Sequence, residues 1–99
     1  DDPVRIAKTA NVPLYKLIPT KMPANVKYVF NITELGNIDF MFYNKGMTAY
    51  DKYITEEQFN VFKQRNIPVA YFPDHGNNIV PDFIKNYANA YPITIKLYE

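Results

Sequence analysis

The sequence contains no cysteine, serine or tryptophan, and its only histidine is His75. Without cysteine there are no disulfides, thiolate nucleophiles or cysteine-ligated metals, and without serine there is no serine hydrolase chemistry. With one histidine, a metal site would need mostly carboxylate ligands, and the chain has no acidic loop with calcium-binding spacing. We therefore predict neither a bound metal nor a cofactor.

Glycine, excess charge and long apolar runs are also scarce. The glycines, Gly36, Gly46 and Gly76, are too scattered for a phosphate-binding loop or a dinucleotide-binding motif. The net charge is +1, which gives no long-range attraction toward nucleic acid or an anionic membrane. No apolar run approaches the ~20 residues of a membrane-spanning helix. These shortages favour a binding domain over an enzyme.

Aromatic residues are abundant, since nine tyrosines and seven phenylalanines make up 16% of the 99 residues. The hydrophobic share of 47% and the charged share of 21% are typical of a soluble globular protein, and the length predicts one α+β domain over residues 1–99. The many Asn, Lys, Ile and Tyr residues share AT-rich codons, which indicates a phage, viral or low-GC bacterial origin. The chain begins with Asp1 rather than methionine, so both the cytoplasm and export after leader removal stay open.

One helix and the strand after it are specified by local signals. Thr55 and Gln58 have the spacing of a capping box, which predicts a helix that begins after Thr55. The helix is expected to end at Asn66, because asparagine tolerates the left-handed conformation. The apolar residues 68–72 then predict a strand that is covered on both faces and has a parallel neighbour.

The first half of the chain is expected to be mostly strand. Residues 1–11 predict a short helix or a loosely ordered arm. Alternation of apolar and polar residues predicts strands over residues 12–18, 26–35, 38–44 and 47–53. The first of these would lie at a sheet edge, because Pro13 cannot donate to a ladder. The second and third would form a hairpin about the tight turn Gly36-Asn37, and the fourth would extend it into a meander.

The second half predicts another helix and a last strand. Residues 79–90 form the helix, where apolar side chains recur at helical spacing. Ile93, Ile95 and Leu97 alternate with Thr94, Lys96 and Tyr98, which predicts a final strand over residues 93–98. The expected fold is a single α+β domain with a mixed, mostly antiparallel sheet of four to six strands and two helices, in the order β-β-β-(β)-α-β-α-β.

The loop after the buried strand is the candidate ligand site. In open sheets with parallel strands, ligands bind beyond the carboxyl ends of the strands. The binding residues would be Tyr71, Asp74, His75, Asn77 and Asn78. His75 titrates near neutral pH, and a helix N-terminus after the loop would favour an anion. The same residues also suit a tight turn with an asparagine cap, so a purely structural role is the alternative.

The surplus of tyrosine points to a protein interface, because tyrosine is amphipathic and favoured at such surfaces. The candidate interface residues are Met41, Tyr43, Met47, Tyr50 and Tyr53. We therefore expect a small non-catalytic domain that binds another protein, or a second copy of itself, through this Tyr-rich face or a sheet edge. The alternative function is a small anionic or polar ligand binder, or an enzyme, that uses the loop from Asp74 to Asn78.

A third reading is single-stranded nucleic-acid binding through the basic N-terminal region. Its cations are Arg5, Lys8, Lys16, Lys21 and Lys27, and residues 3–27 contain no acidic residue. Tyr15 and Tyr28 lie among them, and aromatic stacking beside lysines is how single strands are held. The alternative is a solvated edge whose lysines resist aggregation.

Overall fold

The computed structural model describes residues 3–32, 36–75 and 78–98, with the backbone alone at residues 3–8 and 74–75. Within these ranges the helices are α1 (Pro3–Leu17), α2 (Gly36–Tyr43), α3 (Glu56–Gln64) and α4 (Asp82–Lys85). The strands are β1 (Tyr28–Phe30), β2 (Thr48–Ala49), β3 (Val69–Tyr71), β4 (Asp74–His75), β5 (Asn78–Ile79) and β6 (Ala90–Pro92). A 3₁₀ turn, Ile18–Lys21, follows α1 directly.

β1 and β3 are the inner strands of a four-stranded sheet with the order β2-β1-β3-β6. Every pairing in this sheet is parallel, and Val29 of β1 lies opposite both Ala49 of β2 and Ala70 of β3. β4 and β5 form a separate antiparallel pair. The expected combination of helices with a sheet is confirmed, and the expected mostly antiparallel pairing is wrong.

Both faces of the sheet are covered because the chain changes direction across it. β2 lies on one side of β1 in the sheet, whereas β3 and then β6 lie on its other side. Since right-handed crossovers join parallel strands, the helix between β1 and β2 lies on one face and the helices of the later connections on the other. α2 therefore covers one face with α1 packed against it, and α3 and α4 cover the other.

Two hydrophobic cores result, one on each face. Consecutive strand residues point to opposite faces, so Val29 enters the first core and Phe30 the second. The buried residues of the first core are Tyr15, Ile18, Val26, Val29, Ile32, Phe40, Ala49, Ala70, Phe72 and Ile93. Those of the second core are Phe30, Phe59, Val69, Tyr71 and Ile84. Most of the aromatic contacts lie in the second core, where Phe30 and Phe59 are 5.9 Å apart between ring centroids.

The hairpin predicted over residues 26–35 and 38–44 is wrong. β1 ends at Phe30, because Asn31 has a φ of 63° and turns the chain out of the extended conformation. The predicted meander is wrong as well, since β2 pairs with β1 in parallel after a crossover through α2.

α2 occupies the segment predicted as the returning strand. Its buried residues are Gly36 and Phe40, one helical turn apart. A strand would place Ile38, Phe40 and Phe42 on one face, whereas the helix buries Phe40 and leaves the other two in solvent. Apolar side chains occur on opposite sides of this segment, so its local pattern fits both periods.

The edge strand predicted over residues 12–18 is wrong, because these residues continue α1 and begin its 3₁₀ turn. The buried positions are Asn11, Tyr15 and Ile18, which follow helical spacing. The hydrophobic pattern of the sequence does not reveal these helical positions, because Asn11 is polar although its side chain is buried. The amide is fully paired: Nδ2 donates to the Tyr98 carbonyl at 2.8 Å, and Oδ1 accepts from the Tyr98 N–H at 2.7 Å.

The helix and the strand of the last third of the chain differ from the predicted ones, although the apolar side chains of this segment pack in the two cores. The helix expected over residues 79–90 is the single turn of α4. Beyond it, the Tyr87 hydroxyl donates to the Ile67 carbonyl at 2.8 Å and ties this segment to the end of α3. The last strand is β6 rather than residues 93–98, and the apolar members of the predicted alternation pack in the first core, namely Ile93, Ile95 and Leu97.

The locally specified elements are confirmed. Thr55 Oγ1 accepts from the Gln58 N–H at 3.2 Å, and the Gln58 side chain accepts from the Thr55 N–H at 3.0 Å. The chain leaves the helix at Asn66 with a φ of 54°. All three residues of β3 are buried, and both neighbouring strands run parallel to it.

Replacing Thr55 with alanine should lower the free energy of unfolding by about 1 kcal/mol, because the first-turn amides of α3 lose their acceptor. Urea denaturation followed by circular dichroism measures the change. Thr94→Ala is the matched control, since Thr94 is exposed outside any helix. Equal effects of the two substitutions would contradict a specific role for the capping box.

Candidate functional site

The carboxyl ends of β1 and β3 form the point where the direction of the chain reverses. The connection after β1 passes to the α2 face, and the connection after β3 passes to the opposite face. In doubly wound sheets of this strand order, diverging connections leave a crevice at which ligands bind. We call the position that this rule identifies the switch-point crevice, and the described residues next to it are Asn31, Tyr53, Phe72, Pro73 and Asn78.

Asn31 joins the ends of β1 and β3 to β5 at the switch point. The side chain is fully buried, Nδ2 donates to the Phe72 carbonyl at 3.0 Å, and Oδ1 accepts from Asn78 Nδ2 at 3.0 Å. The end of β1 is thus bonded both to the end of β3 and to β5. The sequence prediction missed Asn31 because it placed this residue inside a strand. The available signal was an asparagine directly after a buried apolar run, where a left-handed residue often ends a strand.

The segment after β2 reaches the same carbonyl. The Tyr53 hydroxyl donates to the Phe72 carbonyl, so this oxygen accepts from two side chains. In addition, the Ile32 N–H donates to the Tyr50 carbonyl at 3.0 Å. The segments that follow three neighbouring strands are therefore hydrogen-bonded to one another.

The predicted ligand residues have different positions relative to this crevice. Asn78 lies in β5 at its rim, with its amide on Asn31. Asp74 and His75 form β4, and their side chains lie outside the described residues, as does the whole of Asn77. Tyr71 lies in the second core, and burial raises the pKa of its phenol, so the hydroxyl stays protonated at neutral pH.

One expected feature of an anion site, the helix N-terminus, is weaker than the sequence implied. The helix after the loop is one turn long and begins at Asp82, which adds a negative charge to its own N-terminus. Among the described residues, no group of three or more His, Cys, Asp or Glu side chains could hold a metal ion. The described side chains at the switch-point crevice are neutral, and the Asn31 amide and the Tyr53 hydroxyl already bond to other groups of the protein.

A second candidate surface lies on α2. Ile38 is 60% exposed, Phe42 is 73% exposed and Tyr43 is 40% exposed. Ile38 and Phe42 are one helical turn apart and share the outward face, and the rings of Phe42 and Tyr43 meet edge to face at 5.1 Å between centroids. We call these three side chains the α2 surface. Sequence analysis identified Tyr43 but placed Ile38 and Phe42 in the returning strand of a hairpin.

The other predicted interface residues face inward to a larger degree. Met41 and Met47 are half-buried and pack against the first core. Tyr50 is half-buried, and its ring stacks on Phe30 at 4.9 Å between centroids. Tyr53 is half-buried with its hydroxyl in the switch-point crevice. Of the five predicted interface residues, Tyr43 is therefore exposed and the other four are half-buried.

The sheet edges offer little for strand addition. β6 forms one edge and contains Pro92, which has no N–H to donate to an added strand. β2 forms the other edge and is two residues long. Short edges and proline are the features by which proteins prevent edge-to-edge pairing.

The basic N-terminal region has exposed lysines but lacks one of its expected aromatic partners. Lys16, Lys21 and Lys27 are exposed, and the side chains of Arg5 and Lys8 lie outside the described residues. Tyr15 is buried in the first core, so its ring is unavailable for stacking on a base. Tyr28 is half-buried and meets Phe62 edge to face at 5.0 Å between centroids.

No protein-family model, curated protein or solved structure matches this chain. No helix within the described ranges has both the length and the apolar character needed to cross a membrane.

Replacing Asn31 with aspartate should destabilise the protein by roughly 1–3 kcal/mol at neutral pH, because a buried carboxylate would face the Phe72 carbonyl. Burial raises the pKa of such a carboxyl above its unfolded value of about 4, so the deficit should grow as the pH rises from ~4 to 7. Denaturation of the variant and the wild type across this pH range measures the difference.

The matched control for this substitution is Asn89→Asp. The Asn89 amide donates to Asn66 Oδ1 at 2.6 Å in an exposed pair, so solvent would screen a new carboxylate. We expect a smaller and nearly pH-independent change. A pH-independent effect at Asn31 as well would contradict the buried role of its amide.

Proposed function

We propose that this protein binds another protein chain through the α2 surface. The observation that carries the proposal is the exposure of two large apolar side chains, Ile38 at 60% and Phe42 at 73%, side by side on one short helix with Tyr43. Fully burying a side chain of this size is worth about 1.5–3 kcal/mol. A partner that covers the pair would therefore gain most of that free energy at each position.

The exposed apolar side chains of α2 form a group rather than lying scattered over the surface. Single apolar residues at a surface are common, and contiguous groups mark interaction sites. On α3 the exposed large apolar side chain is Val61 alone, at 48%. On α2 three such side chains adjoin. The helix presents them as a convex ridge, which suits a protein surface better than a small molecule, since small ligands bind in concave sites.

The α2 surface is also held rigidly. Phe40, on the opposite side of the helix, is fully buried in the first core. Asn44 Nδ2 donates to the Phe40 carbonyl at 3.0 Å and to the Tyr15 carbonyl at 2.9 Å, so the end of α2 is fixed to α1. A surface that is already ordered loses little conformational entropy when a partner binds.

A photo-crosslinking phenylalanine analogue at position 42 tests the proposal. The protein carrying it would be irradiated in an extract of the cells that produce it, and crosslinked products would be identified by mass spectrometry. We expect a discrete protein adduct, either with a second copy or with another protein, because a partner that covers the α2 surface brings its atoms against position 42. The matched control carries the same analogue at position 61, an exposed apolar position on α3.

A discrete adduct at position 42 and none at position 61 would support the proposal. The same products from both positions, or none from either, would contradict it.

We propose a second candidate function, the binding of a small polar ligand in the switch-point crevice. The observation in its favour is that Asn31, Asn78 and Tyr53 converge where the strand order reverses. This proposal keeps the loop from Asp74 to Asn78 as the binding element. The neutral amides and phenol favour a polar ligand with hydroxyl or amide groups.

Amide NMR spectra of the labelled protein, titrated with glucose as a neutral probe and inorganic phosphate as an anionic probe, would test the second function. A polar ligand in the crevice should shift the resonances of residues 31, 32 and 72–79 and leave those of α2 unchanged. Asn78→Ala should weaken the binding, since it removes an amide at the rim. Shifts spread over the whole protein, or no shifts with either probe, would contradict a site in the crevice.

A further inference from the structure

The charges around the α2 surface are arranged in two poles. Asp39 lies in the first turn of α2, one helical turn before Tyr43 and on the same flank. Lys16, in the last turn of α1, holds its Nζ 5.3 Å from the centroid of the Tyr43 ring. Among the described residues, neither Asp39 nor Lys16 has an ion-pair partner. The α2 surface thus has an acidic pole, Asp39, beside its Ile38 end, and a basic pole, Lys16, beside its Tyr43 end.

When a second copy of the surface lies antiparallel, each charged end meets the opposite charge. If two copies met face to face with their α2 helices antiparallel, a two-fold axis across the helices would exchange the two poles. Asp39 of each copy would then approach Lys16 of the other, and Ile38 of each would meet Phe42 of the other. A two-fold interface requires this kind of self-complementarity, because the same patch contributes both sides.

We infer that the partner of the α2 surface is a second copy of this chain, packed through antiparallel α2 helices. The inference rests on the proposed function and specifies its occupant. A parallel pairing fits the charges less well, since it would set the two Asp39 side chains at one level and leave both Lys16 side chains without a carboxylate. Like charges across an interface oppose the wrong orientation, so the poles select the antiparallel one.

The size of the surface indicates a weak and reversible dimer. Its three side chains per copy are fewer than the ~20 residues a side of a standard stable interface. The dimer should therefore form and dissociate with concentration, and the two Asp39–Lys16 pairs should weaken as salt increases.

Sedimentation equilibrium of the full chain over a concentration series measures the dimer directly. We expect a monomer–dimer equilibrium for the wild type. Phe42→Ala should raise the dissociation constant by roughly 10-fold or more, because each dimer loses two phenyl rings from its centre. Val61→Ala, at an exposed apolar position on the other face of the sheet, is the matched control and should leave the constant unchanged. Circular dichroism melting confirms that each variant is folded.

A charge-exchange experiment tests the antiparallel arrangement. Asp39→Lys alone and Lys16→Glu alone each set like charges against each other and should weaken the dimer. The double variant restores two opposite pairs, so its dissociation constant should return to within about threefold of the wild-type value at low salt. Rescue by the double variant is a result that loss of local structure would not produce.

Three outcomes would overturn the inference. The wild type could remain monomeric up to its solubility limit, the dimer could be insensitive to Phe42→Ala, or the double variant could fail to rescue the single exchanges. The proposed function would survive the first of these if the crosslinker at position 42 joined a different protein. It would fail together with the inference if position 42 gave no discrete adduct at all.

Discussion

The parallel pairing of β1 with β3 joins residues about forty positions apart, with Val29 opposite Ala70 and Phe30 opposite Tyr71. All four of these side chains are buried, so the pair requires cover on both faces of the sheet. Right-handed crossovers supply that cover by sending α2 to one face and α3 with α4 to the other. The two cores and the reversal of strand order are consequences of this one pairing.

The side chain of Asn31 extends the same pairing beyond the last ladder hydrogen bond. The Phe72 N–H donates to the Phe30 carbonyl at 3.1 Å, and one residue later the Asn31 amide reaches the Phe72 carbonyl at 3.0 Å. A side chain thus takes the place of a backbone group where the strand turns away. The same side chain also accepts from the Asn78 amide, so β5 is bonded to the end of β1.

The α2 surface arises from the same constraint on the opposite side of the helix. α2 must bury Phe40 against the sheet, and its position is fixed further by Asn44 bonding to α1. The segment has apolar side chains on opposite sides, so burying Phe40 leaves Ile38 and Phe42 in water. The local sequence could not identify this surface, because Ile38, Phe40 and Phe42 fit one face of a strand as well. Which of them became exposed depended on the contact with the first core.

The sequence by itself determined the elements whose signals lie within a few residues. The capping box at Thr55, the left-handed end of α3 at Asn66 and the apolar run of β3 are such elements, because their hydrogen bonds and burial depend on nearby side chains. Tertiary structure alone decided whether paired strands are parallel, and whether a segment whose pattern fits both periods forms a helix or a strand. Parallel pairing depends on residues distant along the chain, and a buried Asn11 becomes favourable only when the backbone of Tyr98 satisfies its amide.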